Sequence, residues 1–371
     1  MSTHTPLLSV IVPARNCAGP LWRCLDALLA STLPRERWEL IVVDDASDDD
    51  SALVAAHFAD TVILLPERAH GANYARNRGV EVSHGDLLVF VSADVCVKAG
   101  TLDDFVRVLS DQRVAAVSGM YDYPQDHSAV AEYQALYNRF IRNRAAGDVD
   151  AFFAGLGAVR RSVLVRAGGF DEWGQNRPRV AAVELGHRIR TVGHRVVLDP
   201  AIGAVHLKCR SVRETIQATL RDHGVPYDEH AAPSAETTNS GLRWVRQRER
   251  LNPLLSWIAF DSLAIAVVDR PHPALWWLAA MAMTAAAALN APFFVYAAQQ
   301  RGIGCLVRVA PLHVAGSLLV GTARLVDRVL RSIVGEPRPN PAIEAFVEVG
   351  FKTWPPVPIR RAPVVSESIR S

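Results

Sequence analysis

There is no CxxC pair in this sequence. The five cysteines, Cys17, Cys24, Cys96, Cys209 and Cys305, are scattered and odd in number. That argues against a disulfide framework and a zinc site, and reads as reduced thiols. An excess of one charge is also missing: 40 Lys and Arg against 38 Asp and Glu leave +2. With no basic surplus there is no electrostatic case for nucleic acid as a partner. No GxGxxG follows the first strand-like run, and the later GLGAVR (Gly155–Arg160) ends in arginine, so a dinucleotide fold lacks its phosphate loop. The opening MSTHTPLLSV has neither a basic start nor a long apolar run. No signal peptide is read there, and the domain behind it is expected in the cytosol.

What is present changes character along the chain. Short β-branched runs alternate with helix-like stretches from residue 7 to about 210. Leu7–Val12, Glu39–Asp45, Thr61–Leu65, Asp86–Asp94 and Val114–Gly119 read as strands. The segments between them carry apolar residues at helical spacing. This alternation predicts an α/β, Rossmann-like, mostly parallel sheet with helices on both faces. Ligands of such sheets bind beyond the carboxyl ends of the strands. Those ends carry Arg15 and Asn16, Asp44 and Asp45, and Ser92 and Asp94.

The C-terminal third differs. Residues 229–250 are polar with a basic cluster (Arg243, Arg246, Arg248, Arg250), read as a linker or a surface helix. Ala274–Ala298 then runs 25 residues without Asp, Glu, Lys or Arg, enough to cross a hydrocarbon core of about 30 Å. Ile303–Val320 is apolar around Arg308 and His313, and Leu254–Val268 is shorter and interrupted by Asp261. The alternative is a buried soluble helix pair. The basic cluster is expected on the cytosolic side, and the basic residues after 320 favour two crossings over three. Leu254–Val268 would then lie in the interface or re-enter, since a carboxylate such as Asp261 is costly in hydrocarbon. The expected organisation is a domain over 1–228, a linker over 229–250, membrane helices over 251–325 and a basic, then Pro-rich, tail over 326–371.

Several strand-end residues suit ligand chemistry. Asp44 or Asp45 could accept a hydrogen bond from a base imide or a ribose hydroxyl; the other reading is helix capping around Ser47, Asp48 and Asp49. Asp94 offers a hard oxygen donor to Mg²⁺ or Mn²⁺, with positions left for substrate phosphates. His206 is a second candidate ligand or a structural histidine. Arg76, in ARNRG, could reach a diphosphate or a base, or simply face solvent.

Six motifs occur in one order: LSVIVPARN, ELIVVDDAS, GANYARNRG, VFVSADV, GLGAVRRSVLVRAGGFDE and VELGHRIRTVGHRVVLDP. Together they resemble the family 2 glycosyltransferases, inverting enzymes of the GT-A fold, over about residues 7 to 210. HLKCRS, GVPY and RGIGCLVRVAPLH are similar to membrane-attached members with C-terminal helices. The resemblance implies transfer of a sugar from a nucleotide-diphosphate sugar to a lipid-linked or glycan acceptor at the inner membrane, from a cytoplasmic catalytic domain. It implies that Pro13, Arg15, Asp44, Asp45, Arg76 and Ser92 line the nucleotide site and that Asp94 is the metal carboxylate. Gly155–Gly157 and Gly169–Glu172 would border the acceptor side. Two departures stand out. The usual Asp-x-Asp is Ser92-Ala93-Asp94, and the Glu-Asp that supplies the general base is Ala181-Ala182. Three readings follow: Glu184 substitutes, the acceptor is a lipid phosphate that needs no base, or the chain binds donor with impaired turnover. A processive polysaccharide synthase is disfavoured, because Ser240 stands where a Gln-x-x-Arg-Trp motif would begin before Arg243 and Trp244.

Overall fold

The computed structural model describes residues 6–66, 69–122, 129–144, 146–172, 178–207, 240–268, 273–334 and 360–361. HLKCRS beyond Leu207, GVPY, residues 229–239 and the Pro-rich tail apart from 360–361 lie outside them.

The first half alternates as its pattern predicts. β1 (Leu8–Ala14) is followed by α1 (Ala18–Leu29), β2 (Trp38–Asp44), α2 (Ser51–Phe58), β3 (Thr61–Leu64), α3 (Ala72–Val82) and β4 (Leu87–Val91). β1 pairs in parallel with β2 and β4, and β2 with β3. All seven residues of β1 are buried, as expected of a strand covered on both faces. Pro13 is tolerated in this central strand because the β1–β4 ladder stops at Ile11, so the missing amide breaks no bond on that side. α1 turns Leu21, Cys24, Leu25 and Leu28 inward, at the spacing of one helical face. A side chain on Gly79 in α3 would collide with Ile11 of β1, so the glycine of ARNRG sets how closely helix and sheet approach.

Beyond β4 the sheet becomes mixed. β5 (Val95–Val97), α4 (Thr101–Val108), β6 (Val114–Asp122), α5 (Ala129–Arg144), β7 (Gly147–Asp148), β8 (Leu156–Arg160), α6 (Arg161–Arg166), α7 (Pro178–Thr191) and β9 (Arg195–His206) follow. β8 inserts antiparallel between β4 and β6, β9 runs parallel to β6, and β5 and β7 pair antiparallel with β9. With β10 (Arg360–Arg361) on the β3 edge, the strand order is β10-β3-β2-β1-β4-β8-β6-β9-β5. Two apolar clusters, one around Leu25, Val42 and Phe105 and the other around Phe90, Phe152 and Leu185, cover its faces.

Three 29-residue helices close the chain: α8 (Ser240–Val268), α9 (Pro273–Arg301) and α10 (Leu306–Val334). The basic stretch from residue 240 is thus the first part of one long helix. Pro273–Arg301 and Ile303–Ala323 are long and apolar enough to cross a membrane, and only 22% of the most apolar window of each is buried. A soluble core helix would be mostly covered. Large apolar side chains such as Trp277, Met281, Ile303 and Val307 are exposed instead.

The helices are joined to the sheet domain through α5. Leu136 and Phe140 pack with Phe293, Ala297, Cys305 and Val309. The two polar residues that interrupt the second apolar stretch are both satisfied there. Arg308 pairs with Glu132 at 3.0 Å, and His313 Nδ1 lies 3.1 Å from the Tyr133 hydroxyl. Arg248, from the basic cluster, is 1% exposed. It donates to Asn290 Oδ1 and to the Tyr137 hydroxyl, and its Nη2 lies 3.0 Å from His313 Nε2.

Candidate active site

The carboxyl ends of the central strands converge on one polar cluster. Ser92-Ala93-Asp94 links β4 to β5, and the turn closes when the Val95 amide donates to the Ser92 carbonyl at 3.0 Å. The register of β5 on β9 sets Val95 opposite His206. That brings His206 Nε2 within 3.6 Å of Asp94 Oδ2, with both side chains partly open to solvent. The Leu207 amide donates to the Asp94 carbonyl at 2.8 Å, so the backbones are fastened as well. Ser92 is held in turn by its amide, which donates to the Gly155 carbonyl at 2.9 Å.

Tyr121, near the end of β6, completes the cluster and carried no motif in the sequence. Its ring packs edge-on against His206 at 5.4 Å between centroids. A methyl group at Gly155 would collide with the Tyr121 hydroxyl and lie 3.1 Å from Ser92 Oγ. The first glycine of GLGAVR therefore makes room for two hydroxyls at the strand tips.

The residues expected on the nucleotide side differ in their surroundings. Asp45 accepts from the His70 and Gly71 amides, each at 2.7 Å, and so fastens the loop that opens α3. Asp44, 4% exposed, accepts from the Ser47 amide through Oδ2 at 3.1 Å. Its Oδ1 is buried and has no hydrogen-bond partner among the described residues. The capping role suggested for the acidic run falls to Asp49, which accepts from the Ala18 amide at the start of α1 and from the Ser51 amide. Asn16 and Ala46 both take positive φ, 46° and 55°. For alanine this is an uncommon and strained conformation, held because the Asn16 amide donates to Ser47 Oγ and the Asp48 amide to Asn16 Oδ1. Pro13 is buried at the tip of β1, and Arg15 is exposed one step beyond.

Arg76 sits within electrostatic reach of Tyr121. Its Nη1 donates to Asn73 Oδ1 at 2.9 Å, its guanidinium lies over the Phe170 ring, and its Nε is buried without a partner among the described residues. Desolvation pulls its pKa down to about 10, which leaves it charged at neutral pH. Burial is the main cause that pushes the Cys17 thiol up, with the charges of Asp49 and Asp94 adding to it.

The residues expected on the acceptor side divide. Ala181 and Ala182 fall within α7. Glu184, one helical turn from Arg188, is held by that guanidinium at 2.8 Å. Glu172 packs under α3, accepting from Asn77 at 2.9 Å and Arg78 at 3.2 Å, and burial lifts its pKa to about 7.

Comparison with known proteins agrees with this geometry. Residues 9–168 match the family model for glycosyl transferase family 2. The glycosyltransferase AglE of Haloferax volcanii is 31% identical over 144 residues, 37% of this chain and 47% of that protein. The Escherichia coli enzyme WfgD, a UDP-Glc:alpha-D-GlcNAc-diphosphoundecaprenol beta-1,3-glucosyltransferase, is 27% identical over 147 residues, 38% of this chain and 57% of that one. This chain thus spans about half the length of each of these relatives. Among solved structures, the mannosyltransferase PcManGT of Pyrobaculum calidifontis, in complex with GDP-Man and Mn²⁺, superposes with a TM-score of 0.51 at 21% identity, covering 90% of this chain and 89% of that one. Residues 9–168 therefore carry a glycosyl transferase family 2 domain, on a GT-A-type fold.

Proposed function

We propose that this protein transfers a sugar, with inversion, from a nucleotide-diphosphate sugar to a lipid-linked or membrane-proximal acceptor. The observation that carries the reading is the convergence of Asp94, His206, Ser92 and Tyr121 at the strand ends; Asp44 adds an oxygen with no partner among the described residues, and Arg76 a half-buried guanidinium. Asp44 offers an acceptor to a base imide or a ribose hydroxyl, and Arg76 a desolvated cation to the nucleotide. Pro13, Arg15 and Asp45 shape the rim of the same site, Asp45 by fixing the loop ahead of α3.

The donor set fits a hard divalent cation. Asp94 and His206 present one oxygen and one nitrogen 3.6 Å apart, too few to saturate Mg²⁺ or Mn²⁺, which leaves positions for a diphosphate and water. Among the described residues no three His, Cys, Asp or Glu side chains gather for a closed metal cage. Bound there, the cation would neutralise the charge that develops on the departing diphosphate.

In the transfer, the acceptor oxygen bonds to the anomeric carbon from the side opposite the nucleotide. The bond from that carbon to the diphosphate oxygen breaks, and its electron pair leaves on the nucleoside diphosphate. A hydroxyl acceptor must also lose a proton. Alanine at 181 and 182 cannot take it, and Glu184 is engaged by Arg188. A lipid phosphate, anionic at neutral pH, needs no base. The WfgD acceptor is itself lipid-linked, and the exposed apolar helices suit a membrane-attached enzyme, with the domain 1–228 on the cytoplasmic face and the helical module over 251–325. The module raises the effective concentration of a membrane acceptor.

The alanines also favour a second reading, a membrane-anchored sugar-nucleotide-binding protein. Release of nucleoside diphosphate from UDP-, GDP- and dTDP-sugars with Mn²⁺ separates the two. Metal-dependent release, lost in Asp94→Ala, supports transfer. Binding without release from any donor supports the second reading.

A further inference from the structure

The two adjacent arginines of GLGAVRRSVLVRAGGFDE take no part in the strand-tip cluster. β8 runs antiparallel to β4, and Arg160 stands opposite Leu87. Ser92 follows the other end of β4, roughly 16 Å of strand away. At this far end of the sheet lies an open depression of about 660 Å³. Asp86, Arg160, Arg161, Ser162, Val165 and Arg166 line it.

The hydrogen-bond partners of its three guanidinium groups, among the described residues, are neutral. Arg160 donates to the Leu109, Asp111 and Val114 carbonyls. Arg161 donates to the Val80 and Gly85 carbonyls and to Ser83 Oγ. Arg166 Nη2 lies 2.9 Å from His194 Nε2. These bonds hold the groups in place without cancelling their charge, and a guanidinium has five N–H donors, so each keeps donors to spare. The local field is positive. Burial first, then the charges of Arg166 and Arg160, hold the His194 pKa below its ordinary value. Asp86 is the one carboxylate in the lining. Glu39, which also acts on Arg161, is itself bound to Ser9 and His84.

We propose that this depression binds a soluble diphosphate anion between Arg160, Arg161 and Arg166. Three guanidinium groups against one carboxylate suit a multiply charged anion, and the planar fork of arginine pairs phosphate oxygens two at a time. A lipid headgroup offers the same chemistry from the other end of the sheet: α5, which packs on the membrane helices, follows the tip of β6 on the side of Ser92. The site is distinct from the strand tips and does not depend on the transfer reading.

The test is calorimetric titration of the full chain, in phosphatidylcholine nanodiscs, with inorganic pyrophosphate. EDTA removes any divalent cation that would hold phosphate at Asp94, and ionic strength is fixed with chloride. Saturable binding is expected. Ser162→Asp adds a carboxylate at an exposed position of the lining and should weaken it at least about tenfold, as should Arg166→Gln. Asp86→Asn removes the opposing charge and should tighten binding about threefold, a gain that damage to the fold does not produce. Equal affinity in wild type and a folded Ser162→Asp overturns the proposal, as does an Asp86→Asn that binds no more tightly. Should Ser162→Asp fail to fold, unchanged affinity in Arg166→Gln overturns it instead. Phosphatidylglycerol in the nanodisc separates the two sources of phosphate. An unchanged pyrophosphate affinity supports the soluble anion, and loss of pyrophosphate binding overturns it in favour of a headgroup.

Discussion

His206 Nε2 lies 3.6 Å from Asp94 Oδ2, although 112 residues separate them in the chain. The pairing of β5 with β9 makes the contact, and it sets an imidazole beside the strand-tip carboxylate that the proposed cation would use. Asp94→Ala and His206→Ala should each weaken Mn²⁺-dependent nucleotide-sugar binding, the first by at least about a hundredfold and the second by about tenfold. Calorimetric titration with and without Mn²⁺ measures both. Equal affinity of His206→Ala and wild type would remove His206 from the ligand set.

Asp44 tests the nucleotide side independently of the metal. Its Oδ1 is buried with no partner among the described residues, a costly state unless a ligand donates to it. Asp44→Asn keeps the shape and removes the charge. Nucleotide affinity should fall about tenfold, whereas the Tm of the ligand-free protein should hold or rise. A fall in Tm at unchanged affinity would make Asp44 a structural residue only.

Part of this site was legible in the sequence because strand tips announce themselves. VVDDAS and VFVSADV end apolar runs in polar residues, and a parallel sheet gathers such ends on one side. Which carboxylate stays free was not legible. Asp44 and Asp45 look equivalent in sequence, yet Asp45 is taken by two loop amides. Tyr121 was missed because an aromatic at a strand end has no spacing rule; only the close approach at Gly155 marks it. The antiparallel insertion of β8 was equally hidden, since local pattern yields a strand and not its neighbour. Arg248 read as a surface cation because charge predicts exposure, whereas α9, α10 and α5 converge on it.

Glu172 makes stability depend on pH. Burial raises its folded-state pKa from 4.5 to about 7. Between those values the folded protein holds a proton that the unfolded chain has released, so stability falls as pH rises through this window. The full effect is on the order of 3 kcal/mol. Glu172→Gln can still accept from Asn77, and it should flatten the decline of Tm between pH 5 and 8. An unchanged slope would mean that another group carries it.

Arg248 joins α8 to α9, α10 and α5 through Asn290, His313 and Tyr137. Arg248→Met leaves those partners buried and short of a donor, at a cost on the order of 3 kcal/mol. Adding Asn290→Leu removes a stranded acceptor, so the double variant should lose less than the sum of the two single changes. Thermal unfolding in detergent reads the cycle. Strict additivity would show that Arg248 and Asn290 do not act as one network.

The alanines of α7 give the most decisive variant, because the two acceptor chemistries respond to it in opposite ways. Transfer to a hydroxyl is limited by proton removal, and neither Ala182 nor Glu184, bound by Arg188 at 2.8 Å, supplies an available base. Installing Ala182→Asp should therefore raise transfer to hydroxyl acceptors by about a hundredfold, the usual scale of a positioned base. Transfer to a lipid phosphate requires no base and gains nothing; a second carboxylate near an anionic acceptor should slow it through like-charge repulsion. Glu184→Gln supplies the control, leaving phosphate transfer unchanged and abolishing hydroxyl transfer only if Glu184 leaves Arg188 to act as base. The deciding measurement is the ratio of the two rates in wild type and Ala182→Asp, with geranylgeranyl phosphate and a glycosylated lipid as paired acceptors. A wild-type preference for phosphate that Ala182→Asp reverses would tie the missing base to acceptor choice. A wild type that favours the hydroxyl, with no gain on adding the aspartate, would mean that a different group removes the proton.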